Sequence, residues 1–207
     1  MKHKNSARAL SALAAVLALG VAGLAVQAQT PAPAPSTPPY GPGPGMGRMS
    51  SGMDSMDGMT EGRFVRALDA INTAELDVAK YVVNRTKDPT VHAFAQRMID
   101  DHSTTAVKLE AATRGTNLRP APRDQETNLM SRHVIDMLSS ESGTQLDNDF
   151  MRVQVPGHQH ELALLKWEQE NGQNLGLKAL ATNLAPTVQQ HLSLAQNYLA
   201  AHNLTPY

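Results

Sequence analysis

The stretch from Phe64 to Val82, FVRALDAINTAELDVAKYV, decides the fold. Phe64, Leu68, Ile71, Glu75, Val78 and Val82 follow one another by alternating steps of four and three. Such steps return to one face of a helix, so the stretch predicts an amphipathic helix with a single buried seam. Glu75 lies in the middle of that seam.

Three more seams of the same kind follow. The second helix carries Val91, Ala95, Met98, His102, Ala106 and Leu109. The third carries Met151, Val155, His158, Leu162 and Leu165, and the fourth Leu177, Leu184, Val188, His191, Ala195 and Tyr198. Each seam therefore holds one ionisable residue near mid-helix. A charge or imidazole in a dry core is costly unless it is paired or bound. Their depths agree as well. With a hairpin turn at Asp88-Pro89, Glu75 and His102 come level to within ~2 Å at ~1.5 Å rise per residue. With a second turn at Gly172-Gln173, His158 and His191 differ by only ~4–5 Å. Glu75, His102, His158 and His191 are thus expected in one polar layer across a bundle. Two readings of the layer stand side by side: a hydrogen-bonded cluster that fixes helix register, and a metal or catalytic site.

The helices are expected over about residues 61–85, 89–114, 124–140, 144–171 and 173–202. Asp88 suits an N-cap with Pro89 in the first turn, and Gly115, Gly143 and Gly172 act as breaks. The segment with Pro120 and Pro122 must be a loop. Pro156 and Pro186 fall inside the third and fourth long helices, where each removes a backbone hydrogen bond and should kink the helix. No strand pattern survives inspection. The expected fold is all-α: an antiparallel four-helix bundle with an extra short helix in the crossover.

The chain has 207 residues, no cysteine and a formal net charge of −1. Lys2, Lys4 and Arg8 precede an apolar run from Ala9 to Val26, and Val26-Gln27-Ala28 places small residues where a signal peptidase reads. Residues 1–28 read as a secretory signal peptide cleaved after Ala28. A periplasmic or secreted location follows, with no membrane span left afterwards. Cleavage moves the net charge to −4, and no basic stripe marks a nucleic-acid partner. No disulfide can form, so the core alone must stabilise the domain. Residues 29–60 hold seven prolines and six glycines and read as a disordered tail ahead of a bundle domain at 61–207. Within the tail, Met46, Met49, Met53, Met56 and Met59 recur every three or four residues. Thioethers are soft ligands, which points to Cu(I); a ligand-free spacer is the plainer alternative.

Two runs carry a family resemblance: Asn72-Thr73-Ala74-Glu75, and Phe94-Ala95-Gln96-Arg97-Met98-Ile99-Asp100-Asp101-His102. With Phe150 to His158 and Pro186 to Leu192, they make the chain, over about 61–201, similar to bacterial exported proteins catalogued as domain of unknown function 4142. The resemblance implies a ferritin-like bundle and no defined activity. That family often has Asp directly before the third-helix histidine, where this chain has Gly157.

The chemistry is bounded by what the chain lacks. A ferritin-like di-iron centre uses Glu-x-x-His motifs, and the sequence contains none. Three histidines and one carboxylate suit a mononuclear zinc, iron or manganese ion, with Glu161 and Tyr198 as supporting partners. His92, His133, His160 and His202 read as peripheral, and Asp100-Asp101 as a solvated step. No nucleophile elbow, phosphate loop or dinucleotide fingerprint is present. The sequence favours a metal-binding or stress-protection module over an enzyme. A metal-dependent enzyme using the layer and a purely structural envelope protein are the alternatives.

Overall fold

The computed structural model of the chain describes residues 56–120 and 125–207, with residues 125–128 described by backbone alone. Its elements are five helices: α1 (Glu61–Val83), α2 (Pro89–Thr113), α3 (Gln125–Ser139), α4 (Gly143–Asn171) and α5 (Leu175–Ala201). No strand occurs among the described residues. α1 and α2 form one hairpin and α4 and α5 another, while α3 lies in the connection and packs on α1. α1 also packs on α4, and α2 on α5, so the four long helices close into a bundle in the order α1, α2, α5, α4. This is the expected four-helix architecture with its extra helix in the crossover.

The helix ends follow from local chemistry. Thr60 Oγ1 accepts from the Arg63 N–H at the start of α1. Asp88 Oδ1 accepts from the N–H groups of Thr90 and Val91 at 2.8 and 3.0 Å, with Pro89 in the first turn as expected. Each such cap is worth ~1 kcal/mol. α1 stops at Val83 rather than Arg85, because the N–H groups of Arg85 and Thr86 both turn back to the Val82 carbonyl. α5 starts at Leu175 rather than Gln173, because Asn174 Oδ1 takes the N–H groups of Gly176 and Leu177. Gly143, expected as a break, is the first residue of α4, and its φ of +57° turns the chain from α3 into α4. Pro156 and Pro186 both lie within unbroken helices on exposed positions. Water can satisfy the carbonyl that each leaves free.

The apolar interior comes in two parts. One is built on Val78, Val82, Phe94, Met98, Phe150, Met151, Val155 and Leu199. The other is built on Phe64, Leu68, Ile71, Leu109, Leu164, Leu165, Leu177 and Leu184. At ~1.5–3 kcal/mol for each large side chain fully buried, these clusters supply the stability. Every long helix passes from one to the other, and six of the buried polar residues lie near the crossing: Asn72 on α1, His102 on α2, Gln154, His158 and Glu161 on α4, His191 on α5.

Residues 1–28 lie outside the described part of the chain, as do Met46, Met49 and Met53. Met56 and Met59, expected in a disordered tail, are partly buried against the Phe64–Leu68 cluster. Among the described residues, no helix is long and apolar enough to cross a membrane.

Candidate metal centre

The α2, α4 and α5 seams deliver His102, His158 and His191 to the middle of the bundle, with relative exposures of 2%, 0% and 1%. The ring centroids are 6.1 Å apart for His102 and His158, 5.6 Å for His102 and His191, and 5.3 Å for His158 and His191. One ring nitrogen from each lies within 4.8 Å of the other two.

Each ring is held by its other nitrogen. His158 Nδ1 stands 2.8 Å from the Gln154 carbonyl oxygen, one turn back on α4. A carbonyl only accepts, so Nδ1 carries the proton and Nε2 keeps a bare lone pair. His191 Nε2 stands 2.8 Å from Asp101 Oδ2 on α2, which leaves Nδ1 bare by the same logic. His102 Nδ1 stands 3.0 Å from Asn72 Oδ1 on α1, which leaves Nε2 bare. These three bare nitrogens, His102 Nε2, His158 Nε2 and His191 Nδ1, are buried and have no hydrogen-bond partner.

Electrostatics keeps the rings neutral. Burial and the neighbouring His191 push the His158 pKa down to about 4. Burial, then His158 and His191, hold His102 well below the usual histidine value. Burial also lowers His191, against the opposing pull of Asp101. Neutral imidazole is the metal-binding form, so at physiological pH the lone pairs are free of protons.

Glu75 does not join this cluster. It is half-buried as a residue, yet burial raises its carboxyl pKa to about 7, and Gln154 hydrogen-bonds to it. It faces α4 at Gly157, where a Cβ would stand 2.7 Å from Glu75 Oε1. Glu161 is 1% exposed, and burial and the Glu75 charge raise its pKa to about 8. Its Oε2 has no partner, and none of the hydrogen bonds that hold the rings comes from it. Tyr198, expected as a supporting partner, points its hydroxyl at Asn148 and stacks on His202. Two turns along α5 from His191, it belongs to the Phe150 cluster instead. His92, His133 and His202 are exposed and His160 half-buried.

The residues that hold the rings were the ones sequence reasoning missed. Asn72 sits three residues before Glu75 on the same face of α1, and that spacing was the available signal. Asp101, read as solvated, keeps 37% of its side chain exposed while its carboxylate reaches across to α5. Nothing in the spacing of α2 alone reports that reach. A longer pattern was also legible on α4. Asp147, Gln154, Glu161 and Glu168 stand seven residues apart, all are at most 5% exposed, and each has a buried oxygen without a partner.

The sequence profile of the family described as Domain of unknown function (DUF4142) matches residues 48–198. No curated protein matches the chain. Among solved structures, the crystal structure of a DUF305 fragment from Deinococcus radiodurans is similar, with a TM-score of 0.59 and 20% identity over 68% of this chain and 95% of that one. At that identity the likeness is one of fold alone.

Proposed function

The chain belongs to the DUF4142 family, whose description assigns no activity, and we propose that it binds one first-row transition-metal ion through His102, His158 and His191. The observation that carries this reading is the pairing of held and bare nitrogens: every ring is anchored on one side and unpartnered on the other. Metal-ligating histidines characteristically donate their second ring N–H to a carboxylate, carbonyl or amide oxygen, which fixes the tautomer and raises ligand basicity. Asp101, the Gln154 carbonyl and Asn72 fill those roles here. Imidazole suits zinc, iron, copper and nickel, and manganese is also accepted, at lower intrinsic affinity.

The rings are almost fully buried, which supports retention of an ion over rapid exchange with a substrate. That favours a binding or protective module over an enzyme. The leader-like N-terminal sequence and the methionine cluster fit such a role outside the cytoplasm, with the methionines, of which Met56 and Met59 pack on the bundle, as a soft-metal ligand set for Cu(I). Three histidine ligands leave a fourth position open, as in zinc hydrolytic sites, and on that ground a metal-dependent enzyme is the second reading.

The test is cobalt substitution. Protein purified without chelator, stripped and titrated with Co(II), is expected to give visible d–d absorption that saturates at one ion and is displaced by zinc. His102→Ala, His158→Ala and His191→Ala should each abolish it. An unchanged spectrum in all three variants would overturn the reading.

A further inference from the structure

The histidine layer continues on its α1 side into a group of oxygens that the triad does not use. On α4, Gln154, His158 and Glu161 succeed one another at steps of four and three, which stacks them on one helix face. Gln154 and Glu161 are each 1% exposed. Glu75 approaches the same face from α1. The Gln154 side-chain N–H donates to its carboxyl, and Glu75 acts electrostatically on Glu161. The approach is open because residue 157 is glycine, since any Cβ there would stand 2.7 Å from Glu75 Oε1.

Two features mark this group as unfinished. Gln154 Oε1 and Glu161 Oε2 are buried with no donor facing them. Neither Glu75 nor Glu161 has a basic partner among the ion pairs of the described residues. Buried polar atoms are ordinarily satisfied, and an orphaned set of this kind calls for an explanation such as an ion. Neither carboxylate belongs to the set of mutually close ligand atoms, which comprises the three histidines.

We propose that Glu75 and Glu161, with the Gln154 amide N–H steadying the Glu75 carboxylate, form a second site, beside the histidine triad, for a harder divalent cation such as Mn2+ or Mg2+. Carboxylate oxygens suit such ions, whereas imidazoles suit zinc or copper. The layer would then hold two ions of different softness, sorted by donor type. The inference deepens the triad reading and rests on it for the identity of the neighbouring ion.

The experiment loads the stripped full chain with one equivalent of zinc, measured by competition with a chromogenic chelator. It then titrates Mn(II) and follows loss of the six-line signal of free Mn(II) by electron paramagnetic resonance. The wild type is expected to take one zinc and then one manganese. Glu161→Gln, close in shape, should keep the zinc and weaken manganese binding at least tenfold. Gly157→Ala, which crowds Glu75, should do the same through a different atom. No manganese uptake by the zinc-loaded wild type would overturn the second site, as would uptake that both variants leave unchanged. Loss of zinc together with manganese in Glu161→Gln would also overturn it, since the carboxyl would then be serving the triad's own ion. A wild type that takes no zinc overturns the triad reading instead. Manganese titrated into that same sample still decides the oxygen site by its dependence on Glu161.

Discussion

Replacing His158 with leucine separates a metal centre from a register device. His158 is fully buried, its Nε2 has no partner, and its Nδ1 proton goes to a carbonyl that already serves the α4 ladder. An unsatisfied buried polar atom costs ~1–3 kcal/mol, and the lost hydrogen bond is worth ~1 kcal/mol at most, because its acceptor keeps a helical donor. Leucine also extends the apolar stripe formed by Met151, Val155 and Leu165. In chelator, His158→Leu should therefore be as stable as the wild type or up to ~2 kcal/mol more stable. At ~2–4 °C per kcal/mol for a domain of this size, Tm should rise by up to ~8 °C. Zinc reverses the order. At free zinc a hundredfold above Kd the wild type gains ~2.7 kcal/mol, and the variant gains nothing. Circular dichroism melts with EDTA and with buffered zinc read all four values. A loss of more than ~2 kcal/mol by the variant in EDTA would refute the reasoning, because the imidazole would then be holding the bundle together by itself.

Three further outcomes can be checked separately. Asn72→Ala strips the acceptor from His102 Nδ1 inside the core, so unfolding in urea should show a loss of ~1–3 kcal/mol. Zinc competition should show ~10–100-fold weaker binding, with Asn72→Asp restoring most of it. Glu168 carries a pKa raised to about 7, by burial first and then by Glu61. The folded state thus keeps this proton after the unfolded chain has lost it. Stability should fall as pH rises from about 4.5 to about 7, and Glu168→Gln should shrink the difference between urea midpoints at pH 5 and pH 8. If the variant shows the same difference as the wild type, Glu168 is ionised in the native protein. Changing Met46, Met49, Met53, Met56 and Met59 together to leucine should abolish Cu(I) retention against a competing chelator and leave zinc binding intact. Equal copper retention would make the tail a spacer.

The fold was legible because helix periodicity, caps and breakers all act within a few residues of each other. Phe64, Leu68, Ile71, Val78 and Val82 are all buried in the structure, and Asp88 caps where a cap was expected. The limits of the reading show on α4. Tracing the seam by its apolar residues selected Leu162, yet the structure leaves Leu162 half-buried and encloses Glu161. A seam read for hydrophobicity steps around the polar positions that share its face, so Glu161 entered only as a supporting partner and Gln154 was passed over, although the seven-residue spacing from Asp147 to Glu168 was in the sequence. Asp101 was missed for a different reason. Neighbours on a helix point about 100° apart, so the residue next to a buried histidine reads as surface, and only the packing of α2 on α5 brings its carboxylate to His191.

The arrangement of protons in the layer separates its two readings more sharply than the burial does. A network kept for register would pair its donors with its acceptors, since each match recovers part of the desolvation cost and only one register allows it. A suitable donor is at hand. Glu161, one turn from His158 on the same helix face, has its pKa raised to about 8 and so carries an acid proton at neutral pH when no cation is bound beside it. Yet His158 Nε2 remains without a donor, as do His102 Nε2 and His191 Nδ1. The hydrogen bonds that do form each engage one nitrogen of a ring, where they set the tautomer and leave the other nitrogen bare. A fold that spends three buried lone pairs in this way loses stability at each one. A cation that accepts all three lone pairs together recovers that loss, which is the physical ground for treating the triad as a ligand set.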